Sequence, residues 1–144
     1  MTAEEKYFEI QQAIEAANRA LLCLDQADDF LSSARNWGAL DLLGGNLITG
    51  IMKHKKMNDS SQQLESARHA VQTFSRELSD VTELDDVNLN TDDFWGFADF
   101  FLDGVISDWM MQSRIHQAQA QVESARQKIR RIRGELKDML NMID

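Results

Sequence analysis

A stretch of this chain occurs twice. Trp37, Gly38 and Asp41 reappear as Trp95, Gly96 and Asp99, and the offset of 58 then holds without a gap. Ile48 and Met52 return as Ile106 and Met110. Glu65-Ser66-Ala67-Arg68 returns as Glu123-Ser124-Ala125-Arg126, and Glu77, Leu78 and Asp80 return as Glu135, Leu136 and Asp138. Residues 36–80 and 94–138 share 13 identities in 45 positions, where roughly three are expected by chance, so the pattern reads as an internal tandem repeat. Two copies of one segment are expected to fold alike, and this restricts the fold more than any single motif does.

The material of the repeat is helical. Proline is absent, and Ala, Leu, Gln, Glu, Arg and Met dominate, which is the composition of a helix former. At 144 residues the chain is read as one domain, long enough to bury a core. Residues 3–35 predict one long helix, with Tyr7, Ile10, Ile14, Ala17, Leu21, Leu24 and Leu31 on alternating three- and four-residue steps. One position of that seam, Asp28, is charged. Phe8, Leu22, Ala27 and Phe30 widen the stripe, which implies several neighbouring helices. Gly38 is expected to break this helix.

A shorter helix is expected over 38–56, then a heptad-bearing helix over 58–81 capped at Asn58 or Asp59. Its seam runs through Met57, Leu64, Ala67, Val71, Phe74, Leu78 and Val81. An acidic loop over 82–92 separates the copies, and Asn90 or Thr91 should cap the helix beginning near Asp92. That second short helix, 92–111, is aromatic. The last, 112–142, has the seam Ile115, Ala118, Val122, Ala125, Ile129, Ile132, Leu136, Met139 and Ile143, and no breaker separates it from the one before. The expected architecture is therefore all-α: a four- or five-helix bundle of antiparallel neighbours with approximate internal twofold symmetry. Its parts are an N-terminal helix 3–35, repeat one 36–80, the acidic loop 82–92 and repeat two 94–138.

Asp41 and Asp99 are the most informative polar positions. Residues 37, 41, 48 and 52 lie within about 60° of one another at ~100° per residue, so Trp, Asp, Ile and Met share one helix face in each copy. A carboxylate buried there without compensation costs several kcal/mol, so it needs a partner. The repeated arginines predict two structural pairs, Asp41–Arg68 and Asp99–Arg126, with a backbone or Trp indole donor as the rival. The alternative makes the same residues a small-molecule or metal-binding centre: Asp41 and Asp99 with Trp37, Trp95, His54 and the two arginines.

Other chemistry finds little support. The net charge of −9 disfavours nucleic acid as a partner for the surface. Cys23, the lone cysteine, lies in an apolar helical stretch and is expected to be a buried structural thiol. The run from Asp86 begins like a calcium loop, but Thr91 stands where glycine is required and Phe97 where glutamate is required. His54, His69 and His116 are scattered, and the inward Glu-x-x-His pairs of di-iron bundles are absent, so no metal or other cofactor is expected. No glycine loop fits a phosphate site, and no Ser, Cys and His arrangement suggests acyl transfer. The basic stripe of the last helix, Arg126 to Lys137, is expected to pair with Glu4, Glu5, Glu9 or Glu15. A membrane-surface helix over 38–56 is the weaker alternative, since Asp41 interrupts it. The polar N-terminus lacks an apolar leader core, which points to the cytoplasm.

Ser33-Ala34-Arg35-Asn36-Trp37-Gly38-x-x-Asp41-x-x-Gly44-Gly45, followed by Lys53-His54, resembles a motif of bacterial helical proteins to which no activity is assigned. The resemblance covers roughly residues 30–80 and implies a bacterial, cytoplasmic, all-helical protein. The second copy lacks the paired glycines and the Lys-His. Taken together, the residues point to a non-catalytic helical interaction or scaffold module, with a protein partner or a second copy as its ligand.

Overall fold

The computed structural model describes residues 2–44, 47–84, 87, 89–103 and 115–143, with side chains for 2–33, 62–84, 87, 89–103 and 115–143. Four helices make up the described chain: α1 (Ala3–Gly44), α2 (Leu47–Thr82), α3 (Asp92–Leu102) and α4 (Ile115–Asn141). No strand occurs among the described residues. No helix there is long and apolar enough to cross a membrane.

α1 starts on a reciprocal cap. The Glu5 amide donates to Thr2 Oγ1 at 3.1 Å, and the Thr2 amide donates to Glu5 Oε2 at 3.4 Å. The helix then runs through Gly38 to Gly44, so the break expected at Gly38 does not occur. One interior glycine costs about 1 kcal/mol, too little to end a helix that Ala39, Leu40, Leu42 and Leu43 continue. α2 likewise runs unbroken through Asn58 and Asp59, which are interior residues rather than caps. The expected short helix 38–56 is thus shared between the end of α1 and the start of α2. α3 ends at Leu102, where the Asp103 amide turns back to the Phe100 carbonyl at 3.4 Å, and the expected junction near 111–112 lies outside the described residues.

Within the described residues the neighbouring pairs are α1–α2, α2–α3, α3–α4 and α4–α1. Each pair is antiparallel. Along α1 and α4, Asn18 meets Arg133, Asp25 meets Arg126 and Ser32 meets Gln119, each between 2.9 and 3.1 Å. The three contacts fall seven residues apart on both helices, the interval at which a heptad returns to the same face. The core they flank is apolar throughout: Ile10, Leu24, Leu31, Val71, Phe74, Leu78, Phe94, Phe101, Ile129, Ile132 and Leu136 are all fully buried. Phe74 and Phe94 meet edge to face, with ring centroids 5.5 Å apart, and tie α3 to α2.

The stripe on α1 widens differently from expectation. Ala13, Ala16, Ala20 and Ala27 are buried and let the neighbours approach closely, whereas Tyr7, Phe8 and Leu22 are exposed. Cys23 is only partly buried.

The described helices differ in length and in the neighbours they meet. Glu9 meets Glu77 and Asp80 across the α1–α2 pair. Across the α3–α4 pair, Phe97 lies beneath Lys128, and Asp93 meets Arg131. α1 has 42 residues and meets both α2 and α4, and α3, with 11, also meets those two helices.

Candidate functional site

The side chains of Trp37, Asp41 and His54 lie outside the described residues, so the pair Asp41–Arg68 and any centre built on His54 fall there too. The four remaining sequence candidates do not converge. Arg68 sits on α2 and donates Nη1 to the Leu102 carbonyl at 3.1 Å. Its Nη2 pairs with Glu65 at 3.2 Å, one turn back on the same helix. Leu102 closes α3, where carbonyls lack intrahelical donors and a positive charge suits the dipole. Arg68 thus serves a helix end.

Asp99 is exposed, and Arg126 is engaged elsewhere, which corrects the expected Asp99–Arg126 pair. Arg126 is only 19% exposed and lies among three carboxylates. Its Nε stands 2.9 Å from Asp25 Oδ1, and its Nη1 lies 2.9 Å from Glu123 and 3.6 Å from Asp28. The Nε contact is a charge contact without hydrogen-bond alignment, since neither Nε nor Asp25 Oδ1 makes a hydrogen bond. The physical reason for the correction is register. Arg126 meets Asp25 and Asp28 on α1, whereas Arg68, 58 residues earlier, meets the end of α3.

Trp95 is half-buried and donates Nε1 to Thr91 Oγ1 at 3.0 Å. Thr91 stands at the predicted cap position of α3, yet its hydroxyl makes no cap bond to the backbone. It serves the indole instead, and Thr91 is itself buried. Nearby, Arg131 holds the entry to α3 by donating to the Asn90 carbonyl and to Asp93 Oδ1, both at 2.9 Å, while pairing with Glu135 at 3.0 Å. Lys128 Nζ lies 5.0 Å from the centroid of the Phe97 ring, a cation–π contact. The basic stripe of α4 is therefore used on Asp25, Asp28, Asp93 and Glu135 rather than on Glu4, Glu5, Glu9 or Glu15. Asp28, the charged seam position, was the sequence signal for this arrangement.

Two further features were not foreseen. Glu9, Glu77 and Asp80 can bring three carboxylate oxygens within 4.8 Å of one another, and Glu9 and Glu77 are half-buried. A groove of about 260 Å³ opens between α1 and α2, lined by Ala16, Arg19, Cys23, Ser66, His69, Ala70 and Thr73. The groove brings Cys23 and Ser66 to the same lining as His69, but among the described residues no hydrogen bond joins either to the imidazole. No known protein family, curated protein or solved structure matches the chain.

Proposed function

We infer that the chain is a non-catalytic helical interaction or scaffold module acting in the cytoplasm, with a second copy as the first partner to test. One observation carries this reading. Phe8 is 56% exposed and Leu22 is 59% exposed, and they lie two heptads apart on one line of α1, with exposed Glu15 midway between them. Meanwhile Arg68, Arg126, Arg131 and Thr91 are taken up in holding helices together. Large apolar groups that the bundle leaves outside on a helix line suit a partner helix.

The heptad and repeat readings support it. The offset of 58 carries the end of α1 at Gly44 to the end of α3 at Leu102, and Thr82 to one residue before the end of α4. It also carries buried Leu64, Ala67, Val71, Phe74 and Leu78 onto buried Val122, Ala125, Ile129, Ile132 and Leu136. A segment copied in tandem and kept as coiled-coil-like helices is the simplest source of both matches.

Native mass spectrometry of protein purified without added metal tests the reading. A dimer with no bound small molecule supports it. Co-purification of a stoichiometric metal or metabolite with a monomer contradicts it.

A further inference from the structure

We propose that the groove between α1 and α2 binds a small oxyanion: a phosphate or carboxylate head carrying at most a short apolar group. Two helix faces build it. Ala16, Arg19 and Cys23 lie three and four residues apart on α1, and Ser66, His69, Ala70 and Thr73 do so on α2. Ala16 and Ala70 are nearly buried and offer only methyl groups, so the helices meet there without filling the space. What remains is a cavity of about 260 Å³, which suits a ligand of a few heavy atoms.

The chemistry of the walls selects an anion. Arg19 and His69 are the groups lining the groove that can carry positive charge, beside the Cys23 thiol, and no carboxylate lines it, although the chain carries 24 acidic residues against 15 Lys and Arg. Ser66 adds a hydroxyl donor, whereas the Thr73 hydroxyl is turned to its own helix and donates to the His69 carbonyl at 3.1 Å. Glu65, beside Ser66 in sequence, is held by Arg68 at 3.2 Å. The acidic triad at Glu9 lies two turns further along α1, roughly 10 Å away, about a Debye length at physiological salt. A guanidinium from α1 and an imidazole from α2, lining one groove with Ala16 and Ala70, offer donors to the oxygens of a phosphate or carboxylate.

The inference is independent of self-association and is tested separately. Amide NMR spectra of the full chain are titrated with inorganic phosphate at constant ionic strength, using chloride as the balancing anion. Arg19, Cys23, His69 and Ala70 are expected to shift together and saturate in the millimolar range, the scale of about two charge-assisted hydrogen bonds. Arg19→Gln and His69→Gln, both at exposed positions, are each expected to weaken the binding about tenfold with the rest of the spectrum unchanged. Arg130→Gln, an exposed cation on α4, should leave it intact. Shifts that never saturate, shifts spread over the basic face of α4, or equal affinity in Arg19→Gln would each overturn the proposal.

Discussion

Arg68 and Leu102 join the two halves of the chain: the guanidinium of one donates to the last helical carbonyl of the other, at 3.1 Å. This bond anchors the end of α3, the shortest of the four helices. Since Arg68 is 41% exposed, its contribution is that of a solvent-screened cap. Arg68→Ala is expected to lower stability by ~1 kcal/mol in urea denaturation followed by circular dichroism. Arg68→Lys should recover part of the loss. An unchanged midpoint in Arg68→Ala would show that the bond contributes nothing.

Arg126 carries the link between α4 and α1. A double-mutant cycle of Asp25→Asn with Arg126→Gln is expected to give a coupling of ~1 kcal/mol, because the arginine is largely buried and the carboxylate half-exposed. The same cycle with Asp99→Asn is expected to give none, and Asp99→Asn alone should stay within about 0.5 kcal/mol of the wild type. Coupling between Asp99 and Arg126 would restore the pair expected from the repeat.

Thr91 and Trp95 set the entry to α3. Thr91→Val keeps the shape and removes the acceptor for the indole, so it is expected to cost about 1–2 kcal/mol, whereas Thr91→Ser should cost less. Differential scanning calorimetry of the two variants separates the hydroxyl from its packing.

Phe74 and Phe94 are both fully buried and in edge-to-face contact. Phe74→Ala is expected to cost about 3–5 kcal/mol, enough to unfold a marginal bundle, and Phe74→Leu a smaller part of that. Chemical denaturation of the leucine variant checks the size of the aromatic contribution.

Much of the fold was legible because helix periodicity and burial share a physical cause. A heptad places apolar side chains on one line, and the core took Leu64, Ala67, Val71, Phe74 and Leu78 from that line. Helix ends were harder to read. Gly38 suggested a stop, but a lone glycine is a small penalty against continuous backbone bonding on both sides. Of the partners of the arginines only Asp28, a charge on an apolar seam, left a trace in the sequence. Arg68 and Arg126 occupy the same place in the repeat, yet one meets Leu102 and the other Asp25, because the neighbouring helix differs. Exposed Phe8 and Leu22 were equally hidden, since their spacing fits a seam whichever way it faces.

Phe8 and Leu22 are also where the account is most open to refutation. Sedimentation velocity of the full chain across a hundredfold concentration range, beside a Phe8→Glu/Leu22→Glu variant, addresses them directly. The wild type is expected to move from the 16.5 kDa monomer to a dimer as concentration rises, while the double variant stays at 16.5 kDa with unchanged helicity. A wild type that remains at 16.5 kDa throughout, or a double variant that dimerises just as well, would contradict self-association through α1.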